Sequence, residues 1–339
     1  MVDTASVMHL RRGVCVALTV MWLAVTTVAV VGAGTGGAAP PTGWRYTMVA
    51  FSNASDRDMD VYTSSDGTTF QLLRKAAYRP PAGRVRDASI IRHSDGWYYI
   101  TYTTIDGANI GFARSRDRLG WTHIGNWPVP LCCALLPGTG DGRGLGSSSG
   151  PGSSGSSGSS GSIGSSDLPS LSPFTTKAWA PEFFVDGGQV NIILSMSTGG
   201  GFVPYLMTAL DPALRLWSPP VPIVGIGADH IDTTVVKVGA TYHAFTKNET
   251  TKVIEHAVAP SLVGPYRFVP IRNWGRFVEG PVLTQLPNGA WRIYLDAYKS
   301  GRYLYSDSTD GLRTWSRPAT VPRLSGTVRH VGVVREQVP

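Results

Sequence analysis

Cysteine is nearly absent. Three occur in 339 residues, and two of them, Cys132 and Cys133, are neighbours whose mutual bonding is opposed by strain. No disulfide framework and no zinc-binding spacing follows from these positions. Charge is also sparse, with Asp, Glu, Lys and Arg making up 16% of the chain. The net charge of +7 is not gathered into basic runs. Helix-turn-helix, RNP and zinc-finger spacings are missing, so nucleic acid is excluded as the expected partner. A diffuse positive charge of this kind suits a polyanionic cell envelope. From Tyr46 onward no stretch has the apolar period of a sustained helix.

Long apolar runs are missing too, with one exception. Residues 14–31 are almost wholly apolar, follow Arg11 and Arg12, and precede a small-residue segment through Ala39. That pattern reads as a secretory signal over residues 1–39. A run of roughly 18 residues is also long enough to be an uncleaved N-terminal anchor, so a membrane is a partner only if the leader is retained. The expected location is extracellular or in the cell envelope. A second anomaly covers about residues 138–173. Its middle, 144–166, is nearly all Gly and Ser and cannot bury enough apolar surface to order itself. It reads as a disordered insert in one domain, 44–339, expected to be monomeric.

What is present is β patterning with a beat. Asp87, Glu182, Asp232, Glu279 and His330 each stand near the start of a strand pattern. They recur about every fifty residues once the Gly/Ser insert is discounted. An aromatic closes each unit: Phe70, Trp121, Trp217, Tyr266 and Trp315. Strands such as Trp97-Tyr-Tyr-Ile-Thr-Tyr102, bounded by turns such as Ser94-Asp-Gly96, are hairpin signals. The period predicts an all-β five-bladed propeller. One strand, 328–334, is left over at the C-terminal end, and three strands before Asp87 (46–51, 59–63 and a segment through Phe70) lack an inner partner. Joined, they close the ring and remove two sheet edges. The Ser-x-Asp segments at 64–66, 115–117 and 308–310 read as blade turns.

A propeller gathers the starts of its inner strands round one axis, so the five polar residues are expected to share a pocket. Their contexts are Val85-Arg86-Asp87-Ala88, Trp179-Ala180-Pro181-Glu182, His230-Ile231-Asp232-Thr233, Val278-Glu279-Gly280-Pro281 and Val328-Arg329-His330-Val331. In order and spacing these phrases resemble glycoside hydrolase family 43, the five-bladed arabinanases, arabinofuranosidases and xylosidases. The resemblance implies that Asp87 is the general base, Asp232 tunes the pKa of the acid, and Glu279 is the general acid. It matches His330 to the family's central histidine, near a cation or its waters. No cofactor is required. A structural Ca²⁺ or Na⁺ on the axis is a possible addition, and His330 would serve Ca²⁺ through water because that ion prefers oxygen ligands.

Hydrolysis of a glycoside needs one acid for the leaving oxygen and one carboxylate for water, about 6.5–9.5 Å apart when the configuration inverts. Carboxylates sharing a pocket cannot all ionise freely, and Glu279 is the one expected to keep a proton, under the charge of Asp232. Glu182, Trp179, Trp274, Arg86 and Arg329 are the candidate substrate contacts. Ala88 stands where the family usually has Pro, and Glu182 where it often has Asp. The expected activity is that of a secreted inverting glycosidase cleaving arabinofuranosyl, or related furanosyl or xylosyl, linkages in a polysaccharide or oligosaccharide. The alternatives are a carbohydrate-binding propeller without turnover and a related five-bladed fructosidase. The latter usually follows its acid with Cys, and here the position is Gly280.

Overall fold

The structure is a computed structural model, and it describes residues 43–129, 175–227 and 229–338. The leader segment 1–39, the Gly/Ser insert and all three cysteines lie outside the described residues. Every regular element among those residues is a strand. The first three are β1 (Gly43–Ser52), β2 (Met59–Ser64) and β3 (Gln71–Tyr78). They are followed by β4 (Arg86–Arg92), β5 (Tyr98–Thr103), β6 (Asn109–Ser115) and β7 (Thr122–Pro128). Next come β8 (Lys177–Asp186), β9 (Gln189–Ser197), β10 (Val203–Thr208) and β11 (Val221–Pro222). The fourth set is β12 (His230–Val238), β13 (Thr241–Asn248), β14 (Val253–Ala259) and β15 (Arg267–Val269). The last is β16 (Glu279–Gln285), β17 (Trp291–Ala297), β18 (Arg302–Ser308) and β19 (Ala319–Thr320), with β20 (Val328–Val338) at the end.

These strands form five four-stranded antiparallel sheets, the blades of a five-bladed propeller. Four blades are continuous in sequence. The fifth is ordered β20-β1-β2-β3, so the C-terminal strand is innermost and the N-terminal strands lie outside it, as the leftover strands implied. Pairing runs from Gly43↔Val338 to Ser52↔Val328, which ties the chain ends together along most of both strands. Five apolar clusters hold the ring, one in each gap between neighbouring blades. In one of them Phe112 stacks on Trp217 of the next blade at 5.5 Å.

The recurring aromatics occupy equivalent places, but they do not end the blades. Each stands immediately or a few residues before the outermost strand: Phe70 before β3, Trp121 before β7, Trp217 before β11, Tyr266 before β15 and Trp315 before β19. The third N-terminal strand therefore begins after Phe70 instead of running through it. The Ser-x-Asp segments are turns, in which the serine hydroxyl meets the aspartate two residues on (Ser64–Asp66, Ser115–Asp117, Ser308–Asp310).

Each inner strand carries a β-bulge near the axis, between Arg86 and Ser89, Trp179 and Glu182, Ile231 and Thr234, Glu279 and Val282, and, in β20, between Arg329 and Gly332. The residue after the first anchor of each bulge has a left-handed backbone: Asp87, Ala180, Asp232, Gly280 and His330. At Gly280 a Cβ would stand 2.7 Å from the His330 ring, and at Gly332 it would stand 2.3 Å from the Ala88 carbonyl oxygen. The inner strands thus approach so closely that only hydrogen fits at these two places. Gly332→Ala is expected to lower unfolding stability by about 1–3 kcal/mol, the usual effect of overpacking. Urea unfolding measures it, and an unchanged midpoint would show that the strands can move apart freely.

Candidate active site

The bulges decide what reaches the axis. Side chains alternate across a strand, so an extra residue redirects those beside it. The five equivalent left-handed positions are Asp87, Ala180, Asp232, Gly280 and His330, whereas Glu182 lies two residues after its blade's position and Glu279 one residue before its own. The sequence beat therefore mixes three registers. Preceding blades brace several of these positions from their second strands. The Ala180 N–H donates to Thr103 Oγ1 at 2.8 Å, Asp232 N–H to Ser195 Oγ at 3.0 Å and His330 N–H to Asp296 Oδ2 at 3.2 Å.

A cavity of about 310 Å³ opens here. Asp87, Asp232, Glu279 and His330 line it together with Arg86 and Trp179, so six of the nine candidate residues meet in one place. Arg329 borders an adjoining cavity and reaches Glu279. Glu182 lies outside the lining but feels the charges of His330 and Asp232. Trp274 does not join them. It is buried in the apolar cluster between two blades, with its ring edge-on to Trp315 at 5.5 Å. Its expected role as a substrate platform gives way to core packing, because the chain before β16 turns its ring inward.

His330 organises the carboxylates. Its Nδ1 stands 3.2 Å from Asp87 Oδ1 and 3.9 Å from Asp232 Oδ2. Burial favours the neutral ring, but the charges of Asp232 and Asp87 outweigh it and push the imidazole up to about 10. Burial also works against the charge of Asp87, yet His330, Arg86 and a hydrogen bond from Thr103 hold its carboxyl down at about 2. Asp232 goes the other way. Burial, reinforced by the charge of Glu279 and only partly offset by His330, lifts it to about 6. Burial lifts Glu182 to about 7, against the pull of His330 and Ser89. Among the described residues no group of three or more His, Cys, Asp or Glu stands where it could hold a metal ion. His330 Nδ1 faces the Asp87 and Asp232 carboxylates and is not free to face an ion.

Glu279 differs from expectation. Oε1 accepts from Arg329 Nη2 at 2.8 Å and Oε2 from Lys247 Nζ at 2.8 Å, which is the arrangement of a carboxylate gripped by two cations. The carboxyls that burial lifts are those of Asp232 and Glu182. The Asp232 carboxylate stands behind Glu279, accepting from the Gly280 N–H at 3.1 Å. Sequence reasoning missed Lys247, which also pairs with Glu249 at 2.7 Å, and Asp296, which pairs with Arg329. A signal existed. Phe51, Thr103, Ser195, Lys247 and Asp296 pair with the residue preceding each bulge, so they repeat at the same period one strand later.

No protein-family profile and no curated protein matches the sequence. Solved structures of family-43 glycoside hydrolases share the fold. A β-1,3-galactosidase of that family, solved with galactodeoxynojirimycin, superposes with a TM-score of 0.58 at 13% identity, covering 81% of this chain and 92% of the other. An α-L-arabinofuranosidase from Clostridium thermocellum gives 0.56 at 13% identity, covering 86% and 94%. An exo-β-1,3-galactanase from Phanerochaete chrysosporium, solved with β-1,3-galactotriose, gives 0.52 at 14% identity over 74% of this chain. The chain spans 54% of that galactanase and 58% of a second β-1,3-galactosidase. The likeness establishes the fold, a five-bladed propeller.

The site's protonation sets a pH dependence of stability. Glu182 and His330 bind protons more tightly folded than unfolded, so their contribution is complete at the acid end. It falls as the pH rises, for Glu182 up to about 7 and for His330 from its ordinary range up to about 10. Asp87 contributes oppositely, and its share is lost only as the pH falls towards 2. His123, His243 and His256, held neutral by burial, act oppositely up to their ordinary range, so the site is tested by difference. The melting-temperature advantage of wild type over Glu182→Gln should shrink as the pH rises from the ordinary carboxylate range to about 7, and a difference that does not change with pH contradicts this charge arrangement.

Proposed function

We propose that the chain is a secreted glycoside hydrolase that inverts configuration, acting on arabinofuranosyl, xylosyl or galactosyl linkages of a polysaccharide or oligosaccharide. The observation that carries this reading is the meeting in one cavity of an aspartate held ionised, Asp87, with Glu279 and a second aspartate, Asp232, whose carboxyl burial lifts to about 6. The fold neighbours, which include galactan-active enzymes and an arabinofuranosidase, support a glycan as substrate and broaden the sugar beyond arabinose.

In this mechanism a water bound by Asp87 attacks the anomeric carbon and gives its proton to Asp87. When the sugar displaces Lys247 or Arg329 from one Glu279 oxygen, that oxygen takes up a proton through Asp232, whose carboxyl burial lifts to about 6. The glycosidic C–O bond breaks as Glu279 delivers this proton to the leaving oxygen. Asp87 then releases to solvent the proton taken from water and Asp232 takes one up from solvent, so the cycle consumes no net proton. Trp179 lines the same cavity, packed against Phe202 at 5.1 Å, and offers a face to the sugar ring.

One observation favours a second reading. Both Glu279 oxygens are held by cations in the resting site, which suits a carbohydrate-binding propeller without turnover. Kinetics separate the two. Glu279→Gln should lower kcat on an unactivated glycan by about 10²- to 10⁴-fold, and less on a nitrophenyl glycoside, whose leaving group needs little protonation. Asp87→Asn should lose activity on both substrates. Sugar binding with no turnover in the wild type would establish the binding propeller instead.

A further inference from the structure

A second cavity, of about 460 Å³, adjoins the first, and Arg86 lines both. The rest of its wall is Phe51, residues 52–57 and Arg329. Three guanidinium groups, Arg57, Arg86 and Arg329, stand round a space that contains one carboxylate, Asp56. That carboxylate already pairs with Arg84 at 3.0 Å, and Arg329 is committed to Glu279 and Asp296. Arg86 is different. Its guanidinium lies over the Phe51 ring at 5.2 Å, and its buried Nε has no hydrogen-bond partner among the described residues. A buried donor left unsatisfied is costly, and the aromatic face fixes the plane of the fork without using its N–H groups.

We propose that this second cavity is a subsite for an anionic group carried by the glycan, a carboxylate or a phosphate, gripped by Arg86 with Arg57 at the rim. A guanidinium presents two parallel donors that match either anion. Because Arg86 forms part of both walls, a glycan seated in the catalytic cavity has its next unit at this fork. The inference rests on the reading of the first cavity as a sugar site, and it adds that the preferred substrate is acidic, such as a uronate-bearing chain. The net positive charge of the protein would draw such a chain towards it.

The test is calorimetric titration of the full-length wild type with a glucuronate-bearing arabinogalactan oligosaccharide, its carboxyl-reduced counterpart and a phosphomonoester-bearing analogue. The readout is binding, so a failure of turnover would count against the hydrolase reading without touching this one. The expected result is an acidic ligand binding about tenfold or more tightly than the neutral one. The gap should narrow with added salt and close in Arg86→Gln. Arg57→Gln should also narrow it, and it serves if Arg86→Gln does not fold. Preference for the phosphorylated ligand alone would assign the group as phosphate. Absent or equal binding of acidic and neutral forms, or a preference undiminished in both variants, overturns the proposal.

Discussion

The site depends on the β-bulge that each inner strand makes near the propeller axis. A bulge breaks the ladder, adds one residue and turns the following side chain. Here it does so five times round one axis. Four of the five left-handed positions are not glycine: Asp87, Ala180, Asp232 and His330. Such backbone states cost about 1–3 kcal/mol each and persist where the surroundings over-determine them. The surroundings are visible. Thr103, Ser195 and Asp296 catch the strained backbone N–H groups from the neighbouring blade, and Gly332 lets β20 and β4 nearly touch. The chain-end pairing of β1 with β20 keeps the ring shut, so the strain has no easy release.

From that constraint follows the electrostatics. The bulges direct two aspartates and a histidine to the axis while Glu182 and Glu279 arrive from adjacent registers. Four carboxylates in a buried space cannot all be ionised. The histidine takes a proton and stabilises Asp87 as an anion, and the remaining acids divide the burden unequally. Lys247 and Arg329 hold Glu279, and burial lifts the carboxyls of Asp232 and Glu182. The proposed hydrolysis uses Asp87 as the carboxylate for water and draws the proton for the leaving oxygen through Asp232 and Glu279.

Much of this was legible before any coordinates. The fifty-residue beat, the turn residues and the unmatched end strands led to five blades and the closing strand, because hydrophobic alternation and turn chemistry are local and repeat. The pooling of Asp87, Asp232, Glu279 and His330 followed from propeller geometry. The register was not legible. Glu182 and Glu279 keep the beat to within two residues, and a shift of one or two residues at a bulge decides which wall a side chain joins. Nor was the cation clamp. Lys247 and Asp296 recur at the blade period with Phe51, Thr103 and Ser195, but the unlike residue types at that position hide the repeat. Trp274 was misplaced because nearness to an inner strand does not say which way a ring points.

The anomeric configuration of the first product tests the central claim most directly. Proton NMR of a reaction with a nitrophenyl glycoside of known configuration, read before mutarotation, resolves it. An Asp87-activated water attacking opposite the leaving group gives the inverted anomer first. A product that first appears with the configuration of the substrate would contradict the assignment of Asp87 as base and Glu279 as acid.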